Sequence, residues 1–297
     1  MPEKYRNPLK QDMRRSGNPD LRSRVHRHLP GYDARSNLPL GEGLDNTAWL
    51  VNDELVIRQA HEPDPEAIRR EATLLRLIRR YATLPTPDVL FSDPDAGILA
   101  YLALPGTPLI DIPDADTTSL AEPLGAFLAA IHAIPFADVQ ELVPNENEPL
   151  QEWLDEAVDS YDIIAGHIHL PERERVAAFL AAPPPPGPER LAFCHNDFGA
   201  EHILVDPATM RITGIIDWTD AAIADPMRDL ALILRDLGPD ALNRARAAYS
   251  TPLTDADMQR LLFHARCKLI EDIAYGIESG ESRYLDAAHA HLGWTFG

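Results

Sequence analysis

The chain has 297 residues, 45% of them hydrophobic and 25% charged, ordinary proportions for a globular protein with room for two lobes or domains. Its 47 acidic and 27 basic side chains leave a formal charge of −20. That excludes nucleic acid as the main partner, since phosphate binding needs a basic footprint; a cationic small molecule is compatible, and so is acidity that only keeps the chain in solution. Two cysteines, Cys194 and Cys267, provide neither a disulfide framework nor a thiolate metal site. No secretory signal or bilayer-length apolar run stands in the sequence, so it predicts a reduced, cytoplasmic protein with no membrane partner.

In chain order, residues 1–30 break the acidic trend with Lys4, Arg6, Lys10, Arg14, Arg15, Arg22, Arg24 and Arg27. Composition predicts a loosely ordered basic arm or a leading helix, without an assigned function. From Leu38 to Arg58 the pattern is β: Thr47–Val51 and Leu55–Arg58 flank the turn Asn52-Asp53, preceded by the Gly41–Asn46 turn. Glycines of such a turn let a backbone approach phosphates closely, although most such turns only reverse the chain. Glu66 to Tyr81 reads as a helix with Ile68, Leu74, Leu75 and Ile78 on one face. Glu71 within it can pair with Arg58 or with a neighbouring arginine. Val89–Phe91 and Ile98–Leu102 are two more strands, and Pro105-Gly106-Thr107-Pro108 punctuates the end of this section.

Helices follow. Leu120, Leu124, Phe127, Leu128 and Ile131 form a buried stripe over 119–134. Residues 150–164 are helical with an acidic face (Glu152, Asp155, Glu156, Asp159, Asp162), and 171–180 are helical up to the run Pro183–Gly187. His132 reads as a packed histidine. From Pro226 to the end the chain is mainly helix, and no internal repeat is present.

Between these helical regions stands the stretch Phe193-Cys194-His195-Asn196-Asp197-Phe198-Gly199-Ala200-Glu201-His202-Ile203-Leu204-Val205-Asp206. It reads as strand, polar loop, strand, with loop residues too polar for a core. Ile212–Trp218 is a further β-branched run that delivers Asp217 at its end. Two β segments ending in carboxylates point to a cation site or a proton transfer.

His195-x-Asp197-x4-His202, followed by Ile215-Ile216-Asp217-Trp218 and Ala224-Asp225-Pro226-Met227-Arg228-Asp229-Leu230-Ala231, resembles the aminoglycoside phosphotransferase family of small-molecule kinases. The Gly43–Ala48 turn and the Leu104-Pro105-Gly106 connector match as well. The resemblance implies an α+β, bilobal, protein-kinase-like fold: residues 1–103 as a small antiparallel-sheet, nucleotide-binding lobe, and 104–297 as a mainly helical lobe with the catalytic loop and acceptor site. It implies transfer of the γ-phosphate of ATP or GTP to a hydroxyl of an aminoglycoside-, macrolide- or related small-molecule acceptor, with magnesium, or manganese, as cofactor. By the same resemblance Asp197 is the catalytic carboxylate, Asp217 a metal ligand, and His195 and Asp229 brace the loop. Gly43, Asn46, Arg58, Glu71, Leu102 and Leu104 would serve the nucleotide.

Two positions depart from the family pattern. His202 replaces the family's loop Asn, as in the macrolide-phosphorylating branch. Imidazole suits softer divalent ions than magnesium, so His202 is expected at the metal and manganese is expected to support activity. Arg58 stands where protein kinases place Lys, keeping the charge with a different geometry. Glu271 and Asp272, flanked by Leu269, Ile270 and Ile273, are acceptor-site candidates expected to be partly buried. Two other readings stand beside the kinase: a metal-dependent hydrolase built on His195, Asp197, His202 and Asp217, and a non-catalytic nucleotide-binding protein. A protein kinase is disfavoured, because no long peptide-docking segment follows Asp217.

Overall fold

Short alternating runs near the start of the chain cannot each bury a face alone, and they pair into one sheet. The computed structural model describes residues 19–42, 46–112 and 116–297. These form two compact units, one from the residues up to Arg79 with Pro87–Leu104, the other from Arg80–Thr86 with Pro105–Gly297.

In the first unit, strands β1 (Asn37–Glu42), β2 (Asn46–Val51), β3 (Leu55–Ala60), β4 (Val89–Asp93) and β5 (Ile98–Leu102) pair antiparallel in the order β1-β2-β3-β5-β4. Asn52 and Asp53 turn the β2–β3 hairpin with positive φ, which Asn and Asp tolerate. The Asn52 side chain accepts from the Arg35 and Ser36 N–H groups and donates to the Asp33 carbonyl. Helix α1 (Pro19–His28) buries Leu21 and Val25 against Trp49, Ile57 and Phe91. Of the two forms expected for this segment, the leading helix is present from Pro19, with Leu21 and Val25 one turn apart on its buried face. The remainder of that arm, 1–18, and Gly43 lie outside the described residues. Helix α2 (Pro65–Tyr81) buries Ile68, Ala72, Leu75 and Ile78, with its first N–H groups accepted by Asp64.

The second unit is helical around two small sheets. Strand β6 (Thr107–Pro108) pairs with β8 (Ile203–Asp206), which pairs with β9 (Arg211–Ile215); β7 (Ala192–Cys194) pairs with β10 (Ala222–Ala224). Helix α3 (Ala121–His132) buries the predicted Leu124, Phe127, Leu128 and Ile131 stripe and packs on α6 (Met227–Ala248). Gly125 permits that approach, since a Cβ there would strike the Ala245 carbonyl. Helices α4 (Leu150–Ile164), α5 (Leu170–Leu180), α7 (Asp255–Ser279) and α8 (Ser282–Thr295) share an apolar core that includes Leu154, Val176, Ile270 and Leu292. A Thr254–Asp257 capping box starts α7. Among the described residues no helix is long and apolar enough to cross a membrane.

Candidate active site

The loop 195–202 leaves β7 and enters β8, two strands of different sheets, so its path has to be fixed by side chains. Asp229 of α6, fully buried, accepts the backbone N–H of His195 at 2.8 Å and of Asn196 at 2.7 Å. His132 of α3 donates to the same carboxylate at 3.0 Å. His195 is itself buried and its Nε2 donates to the Ile216 carbonyl at 3.0 Å. Burial pushes its pKa below the ordinary imidazole value, so it sits neutral as scaffold under Trp218. Phe198 anchors the loop's far side against Phe127. Gly199 leaves room for the Glu201 carboxylate and the Arg235 guanidinium, which a Cβ there would push aside.

Those constraints leave Asp197 and His202 facing one another. His202 Nδ1 donates to the Asp197 carbonyl at 2.9 Å and lies 3.4 Å from Asp197 Oδ2. Nε2 is thereby the free nitrogen, 3.8 Å from Asp217 Oδ2. Burial alone would lower the His202 pKa, but the carboxylates of Asp197, Glu201 and Asp217 outweigh it and raise it. Asp217 lies two residues beyond β9 with φ +58, its Oδ1 accepting from the Thr219 hydroxyl at 2.8 Å. The Ile216 N–H bonds the His202 carbonyl, which ties the two carboxylate-bearing segments together. A carboxylate beside an imidazole nitrogen is a donor set that fits a divalent cation, whose charge would take the place of the Nε2 proton that the carboxylates otherwise favour. Ligand atoms of Asp197, Glu201 and His202 also converge within 4.8 Å.

The hydrolase reading needs His195 as a fourth ligand. Its ring is instead buried with Nε2 on the Ile216 carbonyl, and among the described residues the ligand atoms that converge here are those of Asp197, Glu201 and His202, without His195.

A cavity of about 440 Å³ opens on Asp197 and is walled by Glu146, Trp153, Glu201, Asp220, Lys268 and Tyr284 together with Asn196, Glu271, Asp272 and Tyr275. Glu271 and Asp272 thus do meet Asp197, but Glu271 is exposed, 60% by side chain, and pairs with Lys268, correcting its expected burial. Asp272 is bound at 2.7 Å by Arg235, which also holds Asp236 at 2.6 Å and approaches Glu201 at 3.6 Å. Burial, Glu201 and Asp236 push the Asp272 pKa up against the pull of Arg235. Sequence reading missed Glu146, Trp153, Glu201, Asp220 and Lys268. Trp153 is partly covered in an otherwise charged helix, the one signal that could have marked it; the acids around it (Glu152, Asp155, Glu156, Asp159, Asp162) are exposed. A larger cavity of about 690 Å³ lies along α8 near Asp236 and Trp294 and contains none of Asp197, His202 and Asp217.

In the first unit, Arg58 of β3 hydrogen-bonds Glu71 of α2, both largely covered. Asn46 opens β2, Leu102 is exposed at the end of β5, and Leu104 is half-buried at the unit's last residue.

The model of the phosphotransferase enzyme family matches residues 37–264. The chain belongs to that family. An aminoglycoside 3'-phosphotransferase of Streptomyces fradiae is 29% identical over 183 residues, 57% of this chain and 65% of that protein. One of Streptomyces ribosidificus is 44% identical over 55 residues, 18% of this chain and 21% of that protein. The chain therefore spans less than two thirds of the length of these curated relatives. Among solved structures, the GDP complex of wild-type aminoglycoside 2'-phosphotransferase-IIIa superposes with a TM-score of 0.69 at 20% identity, covering 95% of this chain and 99% of that one. A macrolide 2'-phosphotransferase apoenzyme from Brachybacterium faecium gives 0.63 at 24% identity, covering 92% and 97%. The shared fold is the α+β, protein-kinase-like one.

The family motif's Asp225 is 2% exposed and accepts from Arg260 Nε at 2.8 Å, His264 Nε2 at 3.4 Å and the Met227 N–H at 3.1 Å. Burial would raise its pKa, but His264, the Met227 amide and Arg260 hold it below the ordinary carboxylate value. Its contribution to stability is therefore complete above pH ~4 and lost as pH falls through the depressed folded value. Asp225→Asn, followed by chemical denaturation from pH 7 to 3, is expected to cost roughly 3 kcal/mol at pH 7. The variant should also show a shallower acid decline than wild type; parallel acid limbs would contradict this account.

Proposed function

We propose that this chain is a small-molecule kinase that transfers the γ-phosphoryl group of ATP or GTP to a hydroxyl of an aminoglycoside-, macrolide- or related acceptor. The observation that carries the reading is the placement of Asp197: its carboxylate borders the acidic cavity on one side and the His202–Asp217 pair on the other. Phosphoryl transfer asks for this combination of an acceptor-orienting carboxylate next to a metal-holding one.

In this reading Asp197 orients the acceptor hydroxyl and receives its proton as the acceptor oxygen bonds to the γ-phosphorus and the bond to the β–γ bridging oxygen breaks. Asp217 and His202 Nε2 would hold magnesium or manganese, which supplies charge neutralisation at the nucleotide phosphates. His195 and Asp229 keep the loop in place. In the first unit, Arg58 held by Glu71 offers a guanidinium fork to phosphate oxygens, with Asn46, at the start of β2, and Gly43 serving the same phosphates. The backbone from Leu102 to Leu104 would receive the base.

The acceptor site is the cavity beside Asp197. Of the six carboxylates that line it, Glu146 is held by Arg228, Asp272 and Glu201 by Arg235 and Glu271 by Lys268; Asp220 and Asp197 are the acids left to favour a cationic acceptor. Trp153, Tyr275 and Tyr284 add ring faces for sugar or macrocycle. Relatives named for aminoglycoside and macrolide phosphotransfer support the same class. Cys194 and Cys267 are buried free thiols, in keeping with a cytoplasmic enzyme.

The deciding assay follows ATP or GTP consumption against aminoglycosides, macrolides and simple alcohols, with magnesium and with manganese. One class of acceptor is expected to raise turnover above the acceptor-free rate, and Asp197→Ala is expected to lower kcat by roughly 10²–10⁴-fold. Acceptor-independent hydrolysis with stoichiometric zinc in the purified protein would contradict the proposal. In the same assay His202→Asn should raise the magnesium-to-manganese activity ratio, because an amide oxygen replaces an imidazole. His202→Ala should lose activity; equal or higher activity would remove His202 from the metal site.

A further inference from the structure

Asn196 precedes Asp197 and is the one loop residue with a left-handed backbone, φ +71. Asp229 already fixes the main chain here through the His195 and Asn196 N–H groups, yet the Asn196 side chain is separately engaged. Asn196 Nδ2 donates to Glu146 Oε2 at 2.8 Å, and Arg228 Nη1 donates to Asn196 Oδ1 at 3.1 Å and to the same Glu146 oxygen at 2.8 Å. Glu146, Arg228 and Asn196 thus close a three-membered hydrogen-bonded ring. The amide's oxygen and nitrogen are both occupied, so the side chain cannot rotate without breaking a charge-assisted bond.

Both partners are anchored independently. Arg228 is 5% exposed, stacks on Trp153 at 4.6 Å and sends Nη2 to Glu148 at 3.4 Å. Its planar fork spreads two nitrogens over three acceptors, a span that the single nitrogen of a lysine lacks. Glu146 is pinned by its own N–H to the Ile223 carbonyl at 2.9 Å, beside the Asn145–Ile223 bridge. Ile223 lies in β10, the strand paired with β7, out of which the loop emerges. The ring is therefore built on the strand pair that launches Asp197, and none of its bonds is needed to form those strands.

We infer that Glu146 and Arg228 are positioning residues: by clamping the Asn196 side chain they set the torsion that aims the Asp197 carboxylate at the acceptor hydroxyl. This rests on the kinase reading above. Asp197 is then held from both sides, by the Asn196 clamp upstream and by His202 at its own carbonyl. A misplacement on the order of 1 Å in an acid–base group costs about 10²-fold in rate, so the clamp is expected to act on kcat.

The test uses the full chain with the acceptor class found above, saturating acceptor, and nucleotide varied. Asn196→Gly accepts φ +71 without strain and deletes only the clamp. It is expected to melt within a few degrees of wild type, lower kcat by about 10- to 100-fold and leave the nucleotide KM within about twofold. Glu146→Gln should lower kcat less. The double variant should be no worse than Asn196→Gly, because Glu146 acts through Asn196. Arg228→Lys, which keeps the charge on a single donor nitrogen, should recover part of the kcat lost in Arg228→Ala. Wild-type kcat in Asn196→Gly, or independent multiplying losses in the double variant, would overturn the clamp while leaving the kinase reading intact. A wild-type protein that turns over no nucleotide with any acceptor would overturn the kinase reading, and the clamp's role with it.

Discussion

The carboxylate of Asp229 is fully buried, and the polar loop hangs on it. One oxygen takes the His195 N–H and His132 Nε2, the other takes the Asn196 N–H. Burial alone would raise its pKa, but the bond from His132, the nearby imidazoles and the backbone amides hold it below the usual carboxylate value. A charge this deep is tolerable only when saturated with donors. That demand is also what makes it an effective anchor: the loop cannot leave without stranding a buried anion.

The same logic recurs around the loop. Asp225 is saturated by Arg260, His264 and the Met227 amide, and Arg235 gathers Asp236, Asp272 and Glu201. Asp236 in turn accepts the Ala200 N–H at 2.8 Å. The loop is thus pinned at His195, Asn196 and Ala200 to acids on α6, a helix whose own position is set by packing on α3 and α7. The cavity wall follows the same rule: Arg228 holds Glu146, Arg235 holds Asp272 and Lys268 holds Glu271, which leaves Asp220 and, beside His202, Asp197 toward a ligand.

Much of this was legible in the sequence, for identifiable reasons. Alternating runs from Asn37 to Leu102 announce strands because one face of each is buried, and the Leu120–Ile131 stripe announces α3 because its period is helical. His195, Asp197, His202 and Asp217 stood out as polar residues crowded between β-branched runs. Strand order was not legible, since nothing in β3 or β5 alone says that they are neighbours. Leu21 and Val25 were masked by the arginines around them. Glu146, Asp220 and Lys268 carry no local pattern: each is a single charge in a loop or helix, and only tertiary folding brings Glu146 to Asn196, 50 positions away. The acidic face of α4 is equally ambiguous in sequence, where periodic charge reads the same for a binding face and for the solvated surface that the fold makes of it.

The account turns on Asp229 as the group that fixes the loop, and amide hydrogen exchange reads that directly. His195 and Asn196 amides should exchange slowly in the wild-type protein and lose protection in Asp229→Asn, while Phe193 in β7 stays protected. Unchanged protection of both amides in the variant would contradict the claim that this carboxylate holds them.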